Sequence, residues 1–243
     1  EVASSDFVGL VGDCLFEDTV YRGLVSILEE AVEEAKQPEA RRFAAFNLAR
    51  IHVARAGTTS DAVRRRAPLA AAAKALAAGD GRSREVAWID LQGEIESLRG
   101  NVAEAIALFD RLTPITGNPA IAAARCGEAL RRAGRLDEAA SVVGKGLRND
   151  REGRRWRHRL YQVLGSIELD RGRIAEAEVC LQRSAEVAQD TANPWPFQMG
   201  LAMALLGKGR RMAVRAYAEA ALKHLPEDPD ARRLANKAEG PNR

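Results

Sequence analysis

Aromatic residues make up only 5% of these 243 residues, and there are just three cysteines and three histidines. So few aromatics in a chain that is 46% hydrophobic argue against a β-sandwich, whose pleated faces need aromatic and β-branched side chains. Cys14, Cys126 and Cys180 are odd in number, far apart, and show no CxxC or Cys/His spacing. No disulfide framework and no zinc site is supported, and neither a metal nor a cofactor is expected. Cys126 and Cys180 fall inside helical patterns and read as small buried residues. His52, His158 and His224 are equally scattered, which suits structural or surface roles. The GxSxG, HExxH, Walker A and dinucleotide fingerprints are all missing, so the chain reads as no enzyme. No apolar run approaches 18 residues, so no transmembrane helix is expected. No signal peptide is visible. The cytoplasm is the default compartment, and the lack of an initiator Met leaves the periplasm open.

What the chain does have is alanine, arginine and helical periodicity. Alanine is the best helix former and lets helices approach closely. Arginine outnumbers lysine 31 to 6, which suggests a bacterial source rich in GC. Apolar residues recur at the 3.6 period over segments near 18–36, 39–56, 67–78, 84–99, 102–113 and 118–133. Further segments lie near 136–148, 154–171, 174–189, 195–207, 210–224 and 228–238, about twelve helices in all. Glycines and prolines punctuate them. The fold class is therefore all-α.

A second period of about 34–38 residues links the helices in pairs. Gly93, Gly127, Gly165 and Gly200 hold equivalent places in the first helix of successive pairs, and Ala105, Ala139, Ala177 and Ala213 in the second. A small residue at a crossing point allows close contact, with larger residues filling the space around it. The clearest copy runs Tyr161, Leu164, Gly165, turn Gly172, Ala177, Leu181, Ser184. Others run Ala123, Cys126, Gly127, Leu130, turn Gly134, Ala139, Val143, and Ile89, Gly93, turn Gly100, Ala105, Phe109. A fourth runs Met199, Gly200, Met203, turn Gly207, Ala213, Tyr217. Gln92, Glu96 and Glu168 depart from the apolar pattern.

At these residues the chain resembles the tetratricopeptide repeat (TPR) family. The resemblance implies a TPR-like α-solenoid of antiparallel helix pairs wound into a right-handed superhelix. It covers residues 84–226 as four repeats, at 84–117, 118–153, 154–192 and 193–226. Residues 39–83 read as a degenerate pair, with 58–66 an irregular connection and Pro68 in the first turn of the next helix. Residues 1–38 match no repeat. There Val20, Leu24, Ile27, Leu28, Ala31, Val32 and Ala35 form one apolar stripe, so this acidic segment reads as a helical extension or cap. Residues 227–243 read as a C-terminal capping helix and tail.

In TPR proteins the first helices line a concave face that binds partners. Carried over by position, the resemblance places Asp90, Glu94, Arg125, Glu128, Arg131, Arg132, Arg159, Gln162, Ser166, Phe197 and Leu201 on that face. Arg131, Arg132 and Arg159 would pair with an acidic segment. The Lys/Asn arrangement that clamps a C-terminal carboxylate is not matched, because Asp90 and Glu94 are acidic.

Net charge is +3, yet residues 1–40 alone carry −8. That asymmetry reads either as solvated helix faces or as steering and self-association. Lys145 to Arg159 is strongly basic, with Arg148, Arg151, Arg154, Arg155 and Arg157 around Trp156. The Trp either stacks on a base or partner, or packs inward.

The sequence thus points to a soluble, non-catalytic scaffold or adaptor for protein–protein interaction, binding a peptide or protein segment. The alternatives are a nucleic-acid-associated protein using residues 145–159, or a TPR module of a larger regulator or enzyme.

Overall fold

The computed structural model of the chain describes residues 18–58, 61–79, 85–149, 154–188, 202, 205–224 and 229–239. They are all-α, and no strand occurs among the described residues. The molecule divides into two compact units, Glu1–Thr116 and Gly117–Arg243. The first holds α1 (Asp18–Glu34), α2 (Pro38–Gly57), α3 (Ala62–Ala78), α4 (Val86–Arg99), α5 (Val102–Asp110) and α6 (Leu112–Thr116). The second holds α7 (Pro119–Arg132), α8 (Leu136–Asn149), α9 (Arg154–Asp170), α10 (Ile174–Ala188), α11 (Arg211–His224) and α12 (Pro229–Glu239). None of the helices among the described residues is long and apolar enough to cross a membrane.

Four turns share one device. Gly100, Gly134, Gly172 and Gly209 have φ of 88°, 73°, 77° and 78°, in the left-handed region that glycine enters without steric cost. In each, the next residue's N–H donates to the carbonyl five residues back: Asn101 to Glu96, Arg135 to Leu130, Arg173 to Glu168 and Arg210 to Leu205. This Schellman closure ends one helix and reverses the chain into the next. The fourth turn residue is therefore Gly209 rather than Gly207, which lies at the helical end of the preceding segment.

The hairpins so formed pack through their glycines. A Cβ on Gly93 would lie 2.4 Å from the Phe109 ring, and one on Gly127 would lie 2.3 Å from Val143 Cγ2. Both pairs join the first and second helices of a hairpin, and they recur 34 residues apart.

First helices also lie against first helices. In the first unit Arg42 reaches Glu85, Phe46 stacks on Trp88 with ring centroids 5.4 Å apart, and Arg50 feels the charge of Glu94. The numbers rise together on both helices, so α2 and α4 run parallel at an offset of 42–44. In the second unit Gly127 lies near Val163, and Arg131 bonds Asp170. There α7 and α9 run parallel at an offset of 36–39. Helix α9 packs on both helices of the preceding hairpin, α7 and α8, and α4 does the same with α2 and α3.

Several elements differ from the sequence reading. Residues 62–66 are helical instead of irregular, and Pro68 sits inside α3 instead of in its first turn. Asp61 explains the early start: its carboxylate accepts from the Val63 and Arg64 N–H groups. Pro68 forfeits one helical hydrogen bond, and burial of Leu69, Ala72, Ala75 and Leu76 offsets it. The segment read as 102–113 breaks at Arg111. Pro114 cannot donate to Asp110, and it is tolerated in the first turn of α6.

Helix α1 docks on α2 through Tyr21, Leu24, Val25, Leu28 and Val32, while Ile27 and Ala31 of the expected stripe stay exposed. The polar contacts explain the rotation. The Tyr21 hydroxyl lies 2.8 Å from His52 Nδ1, and Arg55 pairs with Asp18 while lying over the Tyr21 ring. Burial lowers the His52 pKa, which keeps the ring neutral for this bond.

Candidate functional site

The second unit gathers most of the sequence-predicted residues onto two neighbouring helices. Asn118 caps α7 by accepting from the Ala120 N–H, and Pro119 supplies the first turn. From that start, Ala120, Ala122, Ala124, Cys126, Ala129 and Leu130 are buried. Arg125, Glu128 and Arg132 follow one another around the other side at helical spacing. On α9 the buried Leu160, Val163 and Ile167 leave Arg159, Gln162 and Ser166 on a half-buried face.

Glu128 is the centre of this cluster. Arg131 forks onto it, with Nε donating to Oε2 at 3.1 Å and Nη2 donating to Oε1 at 2.9 Å. Arg132 Nε adds an ion pair at 3.2 Å, and Arg159 contributes its charge from α9. Burial alone would push the Glu128 carboxyl up. The bond from Arg131 and the charges of Arg132, Arg131 and Arg159 outweigh it and hold the pKa at about 2. Arg131 also donates from Nη1 to Asp170 Oδ2 at 2.7 Å, which ties α7 to the end of α9. Burial opposes the charge of Arg131, but its bonds to Glu128 and Asp170 raise its pKa.

Arg131 thus spends its guanidinium inside the protein, as a brace between two helices. Arg159 bonds the Gln162 side chain one turn on, and the Ser166 hydroxyl donates to the Gln162 carbonyl at 3.1 Å. The face as a whole presents four arginines, Arg125, Arg131, Arg132 and Arg159, against the carboxylates of Glu128 and Asp170. Planar donors of this kind suit carboxylate or phosphate oxygens.

Asp90 and Glu94 belong to α4 in the first unit, half-buried, where Glu94 faces Arg50. Phe197, Leu201, Arg151 and the side chains of Arg154 and Arg155 lie outside the described residues. So do Gly200, Met199 and Met203 of the fourth repeat copy. Arg148 is exposed on α8, Trp156 and Arg157 are half-buried on α9, and His158 is buried. Cys126 and Cys180 are buried and in no disulfide, and burial pushes the Cys180 thiol up to about 11, far from a reactive thiolate.

Sequence reasoning missed one set of residues. Glu96 and Glu168, which break the apolar repeat pattern, each hold an arginine three residues on. Arg99 bonds Glu96 at 2.7 Å, and Arg171 bonds Glu168 at 2.8 Å. Both arginines then reach the preceding second helix: Arg99 donates to the Leu69 carbonyl of α3, and Arg171 to the Leu136 carbonyl of α8. The repeated Glu-x-x-Arg-Gly string at the two turns was the available signal.

Compared with known proteins, the chain matches no family model and no curated protein.

Proposed function

We propose that the protein is a non-catalytic interaction scaffold built of TPR-like hairpins, and that α7 and α9 take an acidic peptide or protein segment. The observation that carries this reading is the arginine-rich face that two parallel first helices share around Glu128. Three features support the TPR comparison: the four Schellman turns, the glycine crossings and the packing of α4 and α9 each on both helices of the preceding hairpin. Arrays of this kind offer extended surfaces in place of a catalytic pocket. Arg131 ties α7 to α9, so recognition is assigned to Arg125, Arg132 and Arg159, which also hold partners within the chain.

The test is selection from a random-peptide display library against the full chain, and against Arg132→Glu with Arg159→Glu, Arg131 being kept. Acidic sequences enriched on the parent chain should lose affinity about tenfold or more on the variant and bind more weakly as salt rises. Failure to enrich acidic peptides, or equal binding to both proteins, would remove the reading.

A further inference from the structure

Among the described residues of the first unit, two exposed helix faces carry opposite charge, one acidic and one basic. Helix α1 turns its docking stripe toward α2, so its other side carries Ile27, Glu30, Ala31 and Glu34, all exposed. Ile27 is 63% exposed. Glu30, Glu33 and Glu34 form no ion pair among the described residues, and Glu30 and Glu34 repel each other at i, i+4.

Helix α3 buries Leu69, Ala72, Ala75 and Leu76 and exposes Val63, Arg66, Ala67, Ala70 and Lys74. Val63 is 68% exposed. Arg66 and Lys74 likewise form no ion pair among the described residues. Each face therefore begins with one large aliphatic residue, with a charge at i+3 and an alanine at i+4. The charges are of opposite sign. The alanines of α3 leave room for a second helix to approach closely. Both helices pack on α2, so every copy of the chain carries both faces.

We propose that the first unit pairs with a second copy of this chain, α1 of each copy lying on α3 of the other. Such an isologous contact is made twice by one rotation and closes as a dimer. Ile27 and Val63 supply apolar contact, and Glu30 and Glu34 lie against Arg66 and Lys74. The contact relieves the carboxylate repulsion along α1.

The test is sedimentation velocity on the full chain, with circular dichroism confirming that every variant is helical. The parent should be dimeric at low salt and dissociate as salt rises. Glu30→Lys with Glu34→Lys should be monomeric, and so should Arg66→Glu with Lys74→Glu, each associating at least about tenfold more weakly. An equimolar mixture of the two variants should dimerise again, because both contacts then regain opposite charges. A parent that stays monomeric, a dimer that survives either reversal, or a mixture that stays monomeric would overturn the proposal.

Discussion

Single residues show most clearly where close packing leaves no tolerance. Gly127 has no room for a methyl group: its Cβ would sit 2.3 Å from Val143 Cγ2. Gly127→Ala should therefore destabilise the protein by about 2 kcal/mol through overpacking, read as a lower urea midpoint. Gly23 is the opposite case. It lies inside α1 with nothing within 4 Å of a Cβ and no left-handed backbone, so Gly23→Ala should stabilise by roughly 0.5–1 kcal/mol. Equal effects of the two substitutions would mean that the α7–α8 crossing is not close-packed. Gly127 was legible in the sequence from its repeat spacing. Val143 stood in the same repeat copy, but that it meets Gly127 face to face was not legible, because spacing does not say which of the copy's large residues fills the crossing.

At the scale of the element, the turns between paired helices carry two solutions to one packing problem. The turn at Gly172 has Glu168 and Arg171, bonded to each other, with Arg171 reaching the Leu136 carbonyl and Asp137. The turn at Gly134 has Leu130 and Ala133 at the same places. Glu168 is buried, and its remaining ion pair is to Arg173 at 3.5 Å. Arg171→Ala should therefore cost about 3 kcal/mol, since it leaves a buried carboxylate poorly compensated. The double variant Glu168→Leu with Arg171→Ala copies the Gly134 turn and should cost less than the single one. A denaturation double-mutant cycle should give a coupling of about 2 kcal/mol, and additive effects would show that the pair does not act as a unit.

At the scale of the whole molecule, each unit buries its own apolar core; the Val32 to Leu98 cluster serves the first, and the Ala177 to Ala238 cluster the second. Charge adds a pH dependence to stability. Glu128 in the folded protein has its pKa lowered from 4.5 to about 2, so it loses its proton more readily than in the unfolded chain. A depressed carboxyl contributes stability that is complete above the unfolded value and is lost as pH falls from about 4.5 toward 2. The shift corresponds to about 3 kcal/mol. Glu128→Gln should thus be less stable than the parent at pH 7, and the two stabilities should converge as the pH falls toward 2. A gap that stays constant with pH would mean that Glu128 is not held by its arginines.

The sequence by itself determined the helical class, the glycine-closed turns at Gly100, Gly134 and Gly172, and the repeat spacing, because these depend on local periodicity and on backbone conformations that only glycine adopts freely. It also marked the first-helix residues of α7 and α9 by position in the repeat. Only the tertiary structure decided how α1 rotates onto α2, where Pro68 sits, and which arginines serve as braces. Those outcomes rest on partners distant in the chain: His52 and Arg55 for Tyr21 and Asp18, the α2 and α4 packing for α3, and Asp170 for Arg131. The side chain of Arg131 reads the same in sequence as that of Arg132; its role follows from an acceptor 39 residues away.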